Sequence, residues 1–138
     1  MQTALRLAIL FALASAALSA CSSVPDVVTN RDKLPECTTD EVYAPPQQGP
    51  SNATDASTQA FDCFVQANDA LQPVELAFTL LGTEGERYQA ILQTTDAGTI
   101  NYYREIDDGW EIYENCIQFE IISPGVPTVS QCENTDVS

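Results

Sequence analysis

The chain has 138 residues, 44% of them hydrophobic, and carries 20 Asp and Glu against 5 Lys and Arg, for a formal net charge of −15 at pH 7. So acidic a chain lacks the cationic surface that neutralises phosphates, and we expect no nucleic-acid partner. The absence of His removes Ser-His-Asp and Cys-His catalysis and His-ligated zinc or haem. No glycine-rich phosphate loop occurs, and the apolar content is that of a globular domain.

The N-terminus has the layout of a secretory signal peptide. Residues 1–6 hold one positive charge, residues 7–18 form an apolar run too short to span a bilayer, and the tetrapeptide Leu18-Ser19-Ala20-Cys21 follows. This tetrapeptide resembles the lipobox of bacterial lipoproteins. The resemblance implies that residues 1–20 are removed and that Cys21, as the new N-terminus, carries acyl chains such as palmitate. A signal cleaved without lipidation and an uncleaved membrane anchor are the alternatives.

The same resemblance bears on localisation. Ser22 is not the Asp that marks retention at the inner membrane in Gram-negative lipoproteins. The resemblance therefore implies the outer membrane in such a cell and the outer face of the cell membrane in a cell with one membrane. In both cases the protein faces the periplasm or the cell exterior.

Four cysteines remain after Cys21 is set aside, and in an exported domain they predict two disulfides with three pairings open. We favour Cys37–Cys63 and Cys116–Cys132, because the second pair brackets the turn signal Pro124-Gly125 as facing strands of a hairpin would. A metal site of four thiolates is the alternative, but no Cys-x-x-Cys pair is present. We therefore predict neither a metal nor a cofactor.

The chain after the signal divides into a tether and one domain. Residues 21–36 are polar, contain Pro25 and Pro35 and lack periodicity, which predicts a flexible tether, and residues 37–138 form a single small domain. Residues 57–71 are the one helix candidate, with an apolar stripe of Ala60, Phe61, Phe64, Ala67 and Leu71. Pro73 ends it.

The chain beyond Pro73 alternates as strands do, with turn signals at 82–85, 96–98 and 107–109. The alternation changes parity near Asn115, which indicates a β-bulge or bend, and residues 126–131 supply a last short strand. The predicted fold class is α+β, with one N-terminal helix packed on a four- to five-stranded antiparallel meander and two disulfides.

The domain also has a weak resemblance of its own. Leu34-Pro35-Glu36-Cys37, Asp62-Cys63-Phe64, Thr83-Glu84-Gly85-Glu86 and a cysteine after the last long strand, Cys116, resemble small disulfide-bonded bacterial lipoproteins of unknown function. Cys132 departs from that pattern. The resemblance supplies no catalytic residues.

Aromatic residues give one candidate binding face. By strand parity we expect Tyr88, Tyr102 and Trp110 in the core and Tyr103 and Tyr113 pointing outward beside Arg104. Outward tyrosines are typical of interface centres. The alternative is that Tyr is simply a good strand former on a half-wet surface.

Acidic residues give two further candidates. A calcium site is one interpretation of the dense stretch Glu105, Asp107, Asp108, Glu111 and Glu114, although a solvated hairpin turn explains the same residues. A glycosidase-type acid–base pair, Glu84 with Glu86 or Asp107 with Glu111, needs a cleft that turns on a small meander rarely provide. We therefore predict no enzymatic activity.

These inferences predict a non-catalytic, membrane-anchored lipoprotein of the cell envelope that serves as a binding or accessory module. Its expected partners are the membrane, through the lipid on Cys21, and an envelope protein. The alternative is an acidic, surface-anchored inhibitor of a basic hydrolase such as a lysozyme or a protease.

Overall fold

The computed structural model describes residues 23–44, 53–122 and 126–137. Within these ranges there are two helices, α1 (Asp26–Thr29) and α2 (Ala53–Asp69), and eight strands. The strands are β1 (Tyr43–Ala44), β2 (Glu75–Leu81), β3 (Arg87–Thr94), β4 (Ile100–Ile106), β5 (Gly109–Cys116), β6 (Gln118–Ile122), β7 (Val126–Ser130) and β8 (Asn134–Val137). The signal segment and Cys21 lie outside the described residues, as does the turn at Pro124-Gly125.

Six strands form a mixed sheet in the order β1-β2-β3-β4-β5-β8, and β6 and β7 form a second, two-stranded sheet. The prediction of one helix on an antiparallel meander is therefore wrong. β1 runs parallel to β2, with Tyr43 opposite Thr79, because the chain crosses over through α2 between them. A strand of two residues beside a proline-rich stretch gives no alternation that a sequence pattern can detect.

The successive strands β2 to β5 are joined as antiparallel hairpins at the three predicted turns. The predicted bulge is confirmed as well. Tyr102 pairs with Tyr113 but Ile100 pairs with Cys116, so β5 holds one extra residue at this point. Asn115 adopts φ 53° there, and its backbone N–H donates to the Asn101 side chain at 2.9 Å.

The main core lies between α2 and one face of the six-stranded sheet. The predicted stripe residues Ala60, Phe61, Phe64 and Ala67 are buried, but Leu71 is 56% exposed. Ala60, Phe61 and Phe64 pack against Val42, just before β1, and against apolar side chains of β1 to β4, namely Ala44, Leu76, Phe78, Ala90, Leu92, Ile100 and Tyr102. Helix α2 ends because Leu71 turns to φ 54° and Pro73 removes the donor needed to continue.

The β6–β7 hairpin covers the remaining part of this core. Phe119 of β6 meets Phe64 of α2 edge to face, with ring centroids 5.4 Å apart, and Val129 of β7 packs beside them. Both favoured disulfides are present: Cys37–Cys63 ties the chain before β1 to α2, and Cys116–Cys132 closes the base of the hairpin.

Helix α1 packs on part of the opposite face of the sheet. Val28 is 2% exposed and packs in a second cluster of four sheet residues, Ile91, Tyr103, Trp110 and Ile112. Much of the segment that we assigned to a flexible tether therefore has a fixed place on the sheet. A single buried valine in a four-residue helix leaves no periodic signal, which is why the sequence pattern favoured a tether.

Candidate functional site

The two tyrosines predicted to form an outward face lie on opposite sides of the sheet. Tyr103 is 2% exposed and belongs to the second cluster beneath α1, whereas Tyr113 is half-buried and packs beside the main core. Tyr102 and Trp110 are both buried, as predicted, but in different clusters, and Trp110 lies with Tyr103 beneath α1. Because both faces of this sheet are covered, alternation alone does not tell which side of a strand is outward.

The acidic stretch does not converge on one point. Glu105 accepts a hydrogen bond from a backbone N–H of β3 at 3.0 Å, Asp107 accepts one from the Tyr88 hydroxyl, and Glu111 binds Arg104. In the described part of the chain no three acidic or cysteine side chains are grouped as metal ligands would be. The calcium hypothesis gains no support from this arrangement.

The carboxylate pairs considered for acid–base chemistry do not lie in a cleft either. Glu84 and Glu86 are exposed in the β2–β3 turn, where Glu86 accepts a hydrogen bond from the backbone N–H of Glu84 at 3.1 Å. Asp107 is exposed at the tip of the β4–β5 hairpin. A glycosidase-type general acid requires a desolvated carboxyl, which neither pair provides.

A buried ion pair joins the segment around α1 to the sheet. Glu75 on β2 is 1% exposed, and the side chain of Arg31 is 10% exposed. Arg31 donates to both carboxylate oxygens, from Nη2 to Oε1 at 2.5 Å and from Nε to Oε2 at 3.1 Å. The amide of Gln93 on β3 also donates to Glu75 Oε2, at 2.7 Å. This bidentate geometry is the strong form of the interaction.

The backbone completes this attachment. The N–H of Glu75 donates to the Pro35 carbonyl at 2.8 Å, and the N–H of Cys37 donates to the Glu75 carbonyl at 3.0 Å. A third contact runs from Arg31 Nη1 to the Val28 carbonyl at 2.7 Å, which satisfies a group at the end of α1. We call residues 24–37 the docked segment. Sequence reasoning missed it because Arg31 and Glu75 are 44 residues apart.

A second polar cluster lies on β4 and β5, on the side of the sheet that bears the β6–β7 hairpin. Arg104 donates from Nε to Glu111, and the Tyr113 hydroxyl donates to the same carboxylate oxygen at 3.1 Å. The hydrogen bond from Arg104 holds the pKa of the Glu111 carboxyl below its ordinary value. Burial raises the pKa of the Tyr113 hydroxyl, as does its bond to the carboxylate. Arg104 and Glu111 are thus held as an ion pair with fixed orientation.

The surface between α1 and β8 is an acidic groove. Its volume is about 460 Å³, its floor includes Ile112, and Val27 of α1 forms one wall. Three carboxylates line it, those of Glu114, Glu133 and Asp136, and no basic side chain does. β8 beside it is the edge strand of the six-stranded sheet, so its outer backbone groups face outward.

Most of the basic side chains are already neutralised. The three arginines of the described residues each form an ion pair with a glutamate, Arg31 with Glu75, Arg87 with Glu41 and Arg104 with Glu111. Few basic side chains are therefore left to compensate the remaining carboxylates of this strongly negative chain.

The fold and these clusters define an acidic, disulfide-bonded β domain whose N-terminal segment is attached to the sheet. Comparison with protein-family models, with curated proteins and with solved structures finds no match for the chain. No helix in the described ranges has the combination of length and apolar composition needed to cross a bilayer.

Proposed function

We propose that this protein is a lipoprotein of the cell envelope, anchored through an acylated Cys21, whose domain acts as a non-catalytic binding or accessory module. The observation that carries the proposal is the apolar run that ends in Leu18-Ser19-Ala20-Cys21. Two disulfides support it, because such bonds persist in oxidising, extracytoplasmic compartments.

The docked segment supports a position close to the membrane. Only three residues lie between Cys21 and Pro25, the residue that precedes the first turn of α1, so the span is four residue steps. Even fully extended, four residues span at most about 14 Å. A partner of this domain is therefore expected in the same membrane or at its surface.

The dispersed carboxylates support a binding role over a catalytic one. The acidic side chains that we considered for catalysis are exposed or engaged by separate donors. A surface of this charge accelerates association with basic proteins and depends on ionic strength.

The anchor is tested by fractionating cells that express the wild type or Cys21→Ser. The wild type is expected in the membrane fraction with incorporated palmitate, and Cys21→Ser in the soluble exported fraction without the label. Ser22→Ala is the matched control and should behave as the wild type. A Cys21→Ser protein that stays in membranes would contradict the proposed anchor.

The binding role is tested by crosslinking in intact cells followed by affinity capture. An envelope protein enriched with the wild type but not with Cys21→Ser supports an anchored complex. Equal recovery with both forms argues that anchoring does not matter to binding.

The acidic groove beside β8 favours one second candidate, an inhibitor of a basic hydrolase. Incubation of micromolar protein with a lysozyme and with serine and cysteine proteases tests it directly. Inhibition that weakens in Glu114→Gln and at high salt would support this function, and unaltered enzyme rates would eliminate it.

A further inference from the structure

A small cavity lies between β4–β5 and the β6–β7 hairpin. It has a volume of about 110 Å³ and is lined by six residues, Tyr102, Arg104, Tyr113, Pro127, Thr128 and Val129. One wall is polar and belongs to the six-stranded sheet, and the other is mostly aliphatic and belongs to β7. By volume it has room for a ligand of roughly four non-hydrogen atoms, since water occupies about 30 Å³ per molecule.

The polar wall contains a buried hydroxyl that has no partner. Tyr102 is 2% exposed, and its hydroxyl makes no hydrogen bond to any described residue. Its ring is fixed by stacking on Phe78 on one side and Tyr113 on the other, at centroid distances of 6.3 and 6.1 Å. Burial raises the pKa of this hydroxyl to about 12, so it remains a donor at neutral pH. A buried donor without an acceptor is costly, and native structures almost always supply one.

Arg104 provides further donors at the same place. Its Nε is bound to Glu111, and its guanidinium lies close enough to the Tyr102 and Tyr113 hydroxyls to lower their pKa values against the effect of burial. Because Glu111 and Tyr113 fix the Nε side of the guanidinium, the orientation of the terminal nitrogens is set before any ligand arrives. A planar pair of N–H donors matches the two oxygens of a carboxylate.

We propose that this cavity binds the carboxylate of a short aliphatic acid of about two or three carbons, with Arg104 and the Tyr102 hydroxyl donating to its oxygens. The alkyl end then lies against Pro127 and Val129. Glu111 neutralises part of the arginine charge, and few ligand atoms are available for contact, so binding is expected in the millimolar range. The inference goes beyond the proposed anchor and does not depend on it.

The test is a titration of the ¹⁵N-labelled full chain carrying Cys21→Ser with sodium acetate and sodium propionate, at constant ionic strength maintained with sodium chloride. The Arg104 Nε–H resonance is expected to shift with saturation for both acids. Pivalate, whose branched carbon exceeds the cavity, is expected to produce no saturable shift.

Tyr102→Phe removes the unpartnered hydroxyl and keeps the stacked ring. It is expected to raise the dissociation constant for acetate about tenfold, as loss of one charge-assisted hydrogen bond does. Tyr103→Phe, the neighbouring residue on the opposite face, is the matched control and should bind as the wild type. Far-ultraviolet circular dichroism that matches the wild type shows that both variants are folded.

Three results would overturn the proposal. The first is the absence of a saturable shift up to about 100 mM acid, which is well above the millimolar range expected for so small a ligand. The second is the same acetate affinity in Tyr102→Phe as in the wild type. The third is an equal shift with chloride alone. The first and third results mean that the cavity holds solvent only, and the second means that acetate binds elsewhere on the protein. None of them affects the fractionation result for Cys21.

Discussion

Replacement of Arg31 by Ala tests whether the buried ion pair holds the docked segment on the sheet. The variant leaves the Glu75 carboxylate, 1% exposed, with the Gln93 amide in place of the bidentate guanidinium. Removing one partner of a buried pair costs about 3–5 kcal/mol, because the remaining charge stays desolvated. It also leaves the Val28 carbonyl without its Arg31 donor.

Urea unfolding with the disulfides intact measures this cost. At about 1.5 kcal/mol per M of urea, a loss of about 4 kcal/mol lowers the midpoint by about 2–3 M. Arg87→Ala is the matched control, since Arg87 and Glu41 form an ion pair whose side chains are 63% and 60% exposed. Exposed pairs contribute about 0–1 kcal/mol, so the control should unfold close to the wild type.

Trp110 separates local detachment from global destabilisation. It is the only tryptophan of the chain, it is 2% exposed, and it lies in the cluster that α1 covers. If the docked segment detaches in Arg31→Ala, the emission shifts to longer wavelength without urea while the far-ultraviolet circular dichroism of the sheet persists. Unfolding midpoints that agree for Arg31→Ala and Arg87→Ala, with unshifted emission, would refute the reasoning.

Three further predictions follow from burial and backbone geometry. Burial raises the pKa of Tyr102 and of Tyr103 to about 12. The free energy of unfolding should therefore be constant below about pH 10 and should fall as the pH rises from 10 through 12, because the unfolded chain loses these protons first. Urea midpoints that stay constant over that window would contradict this. Gly85 and Gly98 have φ of +89° and +75°, so Ala at either position should cost about 1–2 kcal/mol in thermal or urea unfolding. The two costs should agree within about 0.5 kcal/mol, because the one close contact at Gly98 is the mobile end of an exposed leucine. Phe64 is fully buried, and its replacement by Ala should lower the free energy of unfolding by about 3–5 kcal/mol. A loss below about 1 kcal/mol would mean that α2 does not pack on the sheet as described.

Local signals in the sequence identified those parts of the fold that local interactions determine. The parity change near Asn115 predicted the bulge, and the spacing of Cys116 and Cys132 around a turn predicted their disulfide. Turn residues and strand alternation specify a hairpin through residues that are close in sequence. Hairpins can therefore be predicted without tertiary information.

The contacts that sequence reasoning missed join distant parts of the chain. The pairing of β1 with β2, the ion pair of Arg31 with Glu75 and the addition of β8 to β5 each lack a periodic pattern. The wrong side was assigned to Tyr103 because a strand covered on both faces no longer separates buried from exposed positions by parity. The cavity at Tyr102 was not foreseen either, because it depends on how the β6–β7 hairpin packs against β4 and β5, which strand alternation does not specify.

The parallel pairing of β1 has a consequence for the order of folding. A chain that emerges from its N-terminus presents β1 first, but β2, which lies beyond α2, is the only strand of the described ranges with which β1 pairs. The hairpins β2–β3 and β3–β4 have low contact order and can form from neighbouring residues, whereas closure of β1 and the Arg31 contact requires a long loop. We therefore expect the beginning of the domain to be the last part to become protected from hydrogen exchange during refolding.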